Sequence, residues 1–139
     1  MAPITPSLHI LFETARLQAM VSRAIDGRLG GGLGFTDIMI LHYLSQAPGE
    51  KMRRIDLAEK IGLTPSGVTR LLAPMEKIGL VRREANEHDA RVSLVSLAPG
   101  GKKLFCERID HAGRLADELF PAVEAKKLWR MLLEVEGRS

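Results

Sequence analysis

The side chains in this sequence best equipped for chemistry are cations. Arg53 and Arg54, Arg82 and Arg83, and Lys102 and Lys103 come in adjacent pairs, and Arg91 follows Asp89 by two residues. Guanidinium and ammonium groups donate to phosphate oxygens, which positions a protein on a nucleic acid and makes its binding salt-dependent. Their placement is uneven. Residues 51–103 hold 11 Lys/Arg and 6 Asp/Glu, a net of +5, whereas residues 1–50 and residues 104–139 each carry a net of −1. A basic middle between near-neutral flanks suggests a polyanion partner. A solvated charged face is the plain alternative, and charge alone does not separate the two.

Other chemistries find little support. No nucleophile–base pair or carboxylate pair stands out, so no enzymatic activity is expected. The run GGGLG (Gly30–Gly34) lacks the Gly-Lys-Ser/Thr ending of a phosphate loop and follows no predicted strand, and Gly100-Gly101-Lys102 fails the same test. No cofactor is expected. His9, His42, His88 and His111 show no i, i+4 pair of the kind that builds a helical metal site, so no metal is expected either. Cys106 is the only cysteine, which excludes an intrachain disulfide and leaves a packed, inert thiol as the default over a redox sensor. The 139 residues fit one domain, or one domain with appended helices, and no apolar run approaches the ~20 residues of a membrane helix. The start, MAPITPSLHI, has neither a basic opening nor an apolar core, so no secretory signal is visible and a cytoplasmic location is expected.

The elements that would position the cations are mostly helices. Leu8, Leu11, Ala15, Gln18, Val21, Ile25 and Leu29 recur at spacings of three or four, which predicts a helix over 7–29 that the glycine run ends. Thr36 is the predicted cap of a second helix, TDIMILHYLSQ, stopped at Pro48-Gly49. A short third helix, RRIDLAEKI, ends at Gly62. Thr64 then caps a fourth with Pro65 in its first position, and Val68, Leu71, Leu72 and Met75 form its buried stripe. Two helices joined by Gly62-Leu63-Thr64 make a helix-turn-helix pattern. A strand, LVRRE, a charged turn, ANEHDA, and a returning strand, RVSLVSL, follow as a hairpin, or wing. Leu104, Ile109, Ala112, Leu115 and Leu119 mark a long helix after Pro99. Pro121 starts a last one carrying Val123, Leu128, Trp129, Leu132 and Leu133.

In this order and spacing the chain resembles the MarR family of bacterial and archaeal transcription regulators. The resemblance is densest from Leu57 to Leu104, in LAEKIGLTPSGVTRLLAPMEKIGLVRRE and HDARVSLVSLAPGGKKL. Leu57-Ala58, Lys77-Ile78-Gly79-Leu80-Val81 and Asp89-Ala90-Arg91 match the family pattern directly. Three departures stand out. Ala98 replaces the usual capping Thr, with Pro99 as partial compensation. Ala90 replaces a frequent second wing-tip Arg, and Pro74 is expected to bend or loosen the recognition helix near Arg70.

The resemblance implies a mainly α fold with a small β-hairpin wing: a winged helix-turn-helix lobe over 36–97, flanked by dimerisation helices over 7–29 and 99–135 of a single protomer. It also implies a homodimeric regulator, most simply a repressor, reading a palindromic double-stranded operator and modulated by a small aromatic or phenolic ligand. The runner-up is an architectural winged helix that binds DNA non-specifically. The DNA-contacting set is then Arg53, Arg54, Thr64, Pro65, Ser66, Gly67, Thr69, Arg70, Arg83, Asp89 and Arg91, with Arg91 in a minor groove and Asp89 orienting it. Arg82, Lys102 and Lys103 are further candidate phosphate contacts. A ligand pocket between lobe and dimer helices would draw on Arg16, Met20, Met39, His42 and Tyr43, although a Met stripe at helical spacing is also what a plain core looks like.

Overall fold

Short polar residues and prolines set where the helices begin. The computed structural model describes residues 2–137. Thr5 accepts the Leu8 N–H (3.2 Å) and opens α1, Pro6–Ile25, with Pro6 at its first position. The helix stops four residues short of Leu29, but Leu29 still turns into the core. The second helix, α2 (Phe35–Gln46), is capped differently from the sequence expectation. Gly34, not Thr36, is the N-cap, because two carboxylates take the first free donors: Asp37 accepts the Gly34 N–H (2.8 Å) and Asp26 the Phe35 N–H (2.7 Å).

A strand that periodicity did not suggest comes next, β1 (Lys51–Arg53), after a single tight turn at Pro48–Glu50. Arg53 then caps α3 (Arg54–Ile61), and Gly62 ends it in the left-handed conformation (φ 73°), which only glycine adopts without strain. The cap of α4 (Pro65–Lys77) is the one the sequence predicts: Thr64 accepts the Gly67 N–H (3.1 Å), and Val68, Leu72 and Met75 are buried. Leu71, expected in that stripe, is only half-buried. Pro74 does not break α4. It lies on the exposed face, and its cost is the one backbone donor that the Arg70 carbonyl lacks.

Strands β2 (Val81–Ala85) and β3 (Ser93–Leu97) form the wing hairpin, in register Val81↔Leu97 through Ala85↔Ser93. On its other edge β3 pairs antiparallel with β1, Met52 opposite Val95, so the expected hairpin is a three-stranded sheet in order β1-β3-β2. As the central strand, β3 buries Val95 (1% exposed) toward the helices together with Met52 and Val81. Leu94 faces the other way because strand side chains alternate.

The long helix α5 (Pro99–Leu119) starts beneath this sheet. Its cap residue is Ala98, with no side-chain bond and with Pro99 in the first turn. Ala98 instead donates its N–H to the Leu80 carbonyl (3.0 Å). A Cβ on Gly101 would collide with that same carbonyl oxygen, and one on Gly100 would lie 2.9 Å from the Gly79 carbonyl. The last helix, α6 (Ala122–Val135), has no buried residue. The core therefore sits in the lobe, between Ile25 and Ala98, with Leu115 of α5 joining it.

Gly101→Ala will lower the unfolding free energy by about 1–3 kcal/mol or more, the range for forcing atoms into a packed site. Urea denaturation measures it. A midpoint equal to that of the parent protein would mean that α5 does not press on Leu80.

Candidate nucleic-acid interface

The N-terminal turn of α4 is open. Thr64, Pro65, Ser66 and Arg70 are exposed and Gly67 is half-buried, so the face that helix-turn-helix proteins offer to a major groove is free. Thr69 is not part of that face. Its hydroxyl donates to the Pro65 carbonyl (3.0 Å) and accepts from the Arg54 guanidinium (2.8 Å). One hydroxyl has a single proton, and here it is spent inside the helix. Arg54 is correspondingly half-buried, with its Nε atom enclosed and without a partner. Arg54 and Thr69, both expected at the DNA surface, instead form a strut between α3 and α4.

The other cations are exposed and held by carboxylates. Arg53 makes two bonds to Asp56 (2.8 and 3.0 Å). That hydrogen bonding raises the Arg53 guanidinium above its ordinary value and holds the Asp56 carboxyl below the usual carboxylate range. Arg83 is tied to Glu76 of α4 (2.9 Å), which fixes the first wing strand to the recognition helix. Lys102 reaches Glu50 at 3.4 Å. Among the described residues Arg70, Arg82 and Lys103 have no carboxylate within ion-pair distance. Pairs this exposed add little to stability, so their effect is chiefly to orient donors.

At the wing tip Asn86 folds the turn by accepting the His88 and Asp89 N–H groups (2.8 and 3.3 Å). Asp89 in turn accepts the Arg91 backbone N–H (3.0 Å) and its guanidinium (3.2 Å), as expected for a carboxylate that orients the arginine. The Arg91 side chain is 92% exposed. Arg53, Arg54 and Arg91, with Ile55, Val92 and Ser93, line one notch of about 150 Å³ where α3 meets the wing. The sequence marks these arginines singly. Their convergence depends on β1, which places Arg53 opposite Leu94 in the sheet.

A sequence profile of the MarR family matches residues 31–92, the stretch that holds the helix-turn-helix and most of the wing. Over 50 residues the chain is 44% identical to YfiV, an uncharacterised HTH-type transcriptional regulator of Bacillus subtilis. That match covers 36% of this chain and 31% of the relative, so it spans about a third of the relative's length. Among solved structures, the transcriptional regulator BldR of Sulfolobus solfataricus is similar at a TM-score of 0.84 and 26% identity, over 100% of both chains. A MarR family regulator of Streptomyces coelicolor in complex with DNA is similar at a TM-score of 0.77 and 20% identity, over 98% of this chain and 89% of that one. Residues 31–92 therefore match the MarR family, and the fold of the whole chain is that of MarR-family winged-helix structures.

The ligand residues expected of a MarR-family protein do not converge. Arg16 is exposed and paired with Glu13 (3.3 Å), Met20 is exposed, and Met39 is half-buried. The exposed His42 ring lies 5.1 Å from Tyr43 and 6.1 Å from Phe105. A cleft of about 250 Å³ does separate α1, α2 and α5, but its walls are Val21, Ile25, Phe35, Ile38, Ala112, Ala116, Leu119 and Phe120, none of the five expected residues. Tyr43 lines a different groove, with Lys60. Cys106 is exposed rather than packed. His111 is engaged with the Arg28 carbonyl (2.8 Å). Among the described residues no three His, Cys, Asp or Glu side chains cluster as a metal site would require, and no helix is long and apolar enough to cross a membrane.

The Asp89 carboxyl is held below the ordinary aspartate value, first by the Arg91 backbone N–H and then by its guanidinium. An NMR titration of the side-chain carboxyls will therefore place its midpoint below the ~3.9 of a free aspartate. Arg91→Ala will keep part of that lowering, because the backbone donor remains. A depressed folded value means that Asp89 favours the folded turn above the ordinary aspartate range. That contribution is lost as the pH falls through the folded midpoint, so wing-tip order declines only in acid. A midpoint at or above the free value contradicts the turn geometry.

Proposed function

We propose that this chain is a MarR-family, sequence-specific DNA-binding regulator that acts in the cytoplasm as a homodimeric repressor on a palindromic operator. The observation that carries the reading is the pairing of a free recognition-helix face, Ser66 and Arg70, with a wing arginine that is held by Asp89 yet 92% exposed. The first suits base edges in a major groove, and the second suits a narrow, strongly negative minor groove beside it. Arg53 and Arg83 flank that footprint as phosphate contacts, each already oriented by a carboxylate. Arg54 and Thr69 act in this reading by holding α4 at its angle to α3.

Homodimerisation is supported by apolar surface that the protomer leaves uncovered. Ile10, Leu11 and Phe12 of α1 and Trp129, Met131 and Leu132 of α6 are all 48% exposed or more. Patches of that kind mark association sites, and two protomers related by a two-fold axis present two recognition helices to the half-sites of a palindrome. A small molecule that prefers one spacing of the two lobes shifts the population and with it the affinity for DNA.

Selection from random-sequence DNA followed by gel shifts at several salt concentrations tests the function. A specific regulator retains a strong preference for its selected palindrome over random DNA, whereas an architectural protein loses both in parallel. Arg91→Ala will weaken operator binding by roughly 1–3 kcal/mol, about tenfold or more, without changing the dimeric mass. Arg70→Ala will cost a similar amount and relax the preference at one base pair. Unchanged affinity after both substitutions sinks the interface. Light scattering at micromolar concentration gives the mass, and a monomer would rule out the two-fold arrangement.

A further inference from the structure

Strand β1 is an edge of the sheet, with β3 on one side and, among the described residues, no strand on the other. The wing's own bonds fix which peptide groups of β1 face outward. Ala98 donates to the Leu80 carbonyl (3.0 Å) and Asn86 to the Val92 carbonyl (3.2 Å), in register with the rest of the hairpin. The even-numbered residues of β3 therefore bond toward β2, and the odd-numbered ones toward β1, where Val95 stands opposite Met52. Alternation along β1 then turns the Lys51 N–H and carbonyl and the Arg53 N–H away from β3.

A groove of about 550 Å³ follows that edge, between the end of α2 and α3. Met52 and Leu94 both line it, although they belong to opposite faces of the sheet, so the groove wraps around the edge itself. With Tyr43 they make its walls apolar, and Lys51, Arg53 and Lys60 ring it with cations. Arg53 is paired with Asp56 (2.8 Å) and Lys51 with Glu84 (3.7 Å). Among the described residues no carboxylate lies within ion-pair distance of Lys60. Its ammonium sits 5.9 Å from the centre of the Tyr43 ring, a cation–π contact that leaves its hydrogen-bond donors free.

Outward peptide groups beside apolar walls are what strand addition uses: main-chain bonds give affinity, and alternate side chains fill the walls. The charges select the partner. A second copy of β1 would set Lys51 and Arg53 against their own counterparts, so the edge rejects itself, as cations on edge strands do. We propose that this edge docks an extended acidic segment of a partner protein, added outside β1 as a fourth strand. Its apolar side chains lie on Tyr43, Met52 and Leu94, and one carboxylate lies on Lys60. This docking goes beyond the regulator reading and does not depend on it.

The test is amide NMR on the whole protein without DNA, with a blocked hexapeptide of alternating glutamate and valine as the probe. The peptide will bind with a dissociation constant on the order of 1 mM or tighter, and the Lys51 and Arg53 amide signals will shift most. Lys60→Glu, at an exposed position, will weaken binding about tenfold, since it sets like charges together. Two variants at one position isolate the backbone bond. Arg53→Gln removes the charge alone, whereas Arg53→Pro also removes the outward N–H, at a φ of −65° that proline shares. Arg53→Pro will bind about fivefold more weakly than Arg53→Gln. Equal affinity for a lysine–valine hexapeptide overturns the charge selection, and equal affinity for N-acetylglutamate overturns the added strand. No shift in β1 at several millimolar overturns the site altogether. If Arg53→Pro does not fold, Lys60→Glu and the N-acetylglutamate comparison decide.

Discussion

The Leu80 carbonyl is where the recognition helix, the wing and the long helix α5 are locked to one another. Its own N–H donates to Met75 at the end of α4 (2.9 Å), and its oxygen accepts from Ala98 at the end of β3 (3.0 Å). Gly101 of α5 closes over that oxygen so tightly that no side chain fits. Gly79, at φ 80°, supplies the turn that brings the three together. An enclosed carbonyl with its bond made holds its neighbours to a single geometry, because any displacement strands a polar group away from water. The wing therefore has a fixed height above the recognition helix, and α5 has a fixed direction beneath both.

On that frame the charges are arranged rather than merely accumulated. The net of +5 over residues 51–103 includes five cations already facing a carboxylate: Lys51, Arg53, Arg83, Arg91 and Lys102. Exposed pairs of this kind add little stability. They do reduce the freedom of long side chains, which lowers the entropy lost when a phosphate or base edge takes over the free donors of the same guanidinium. Arg54 is held differently. Its partner is the Thr69 hydroxyl and its Nε is enclosed, so it braces α4 against α3.

What the sequence revealed follows the range of the forces involved. The Thr64 cap, Pro65 in the first turn and Gly62 at the end of α3 are local, and all three stand where the residue types put them. The start of α2 was not legible. Thr36 is a good cap by type, but Asp26 and Asp37 satisfy the first donors, at Gly34 and Phe35, so the cap lies two residues earlier, and the Asp26 bond to Phe35 spans nine residues. Strand β1 was hidden for a similar reason. Three residues carry no period, and Lys51–Arg53 is a strand only because the free edge of β3 lies beside it. The same pairing gathers Arg53 with Arg91, so the notch was invisible although both arginines were singled out. Thr69 and Arg54 read as surface residues because a contact between side chains 15 residues apart leaves no mark on either segment. The ligand residues from Arg16 to Tyr43 share helix faces by spacing, but spacing does not say which face meets a cavity.

The uneven distribution of the core bears on how a signal would reach DNA. The lobe holds nearly all the buried apolar residues, whereas α6 has none and α1 buries only Ile25. A 14-residue helix with a bare apolar stripe is marginal by itself in water, since helices in proteins gain most of their stability from packing such a stripe. In the proposed dimer that stripe meets the partner, and α5 is tied to both layers. It is clamped to the recognition helix through Leu80 and Gly101, and it faces α1 and α2 across the apolar cleft. The spacing of two recognition helices would then be set by the direction of α5. The junction at Leu80 ties that direction to the recognition helix, because Gly101 of α5 closes over the Leu80 carbonyl.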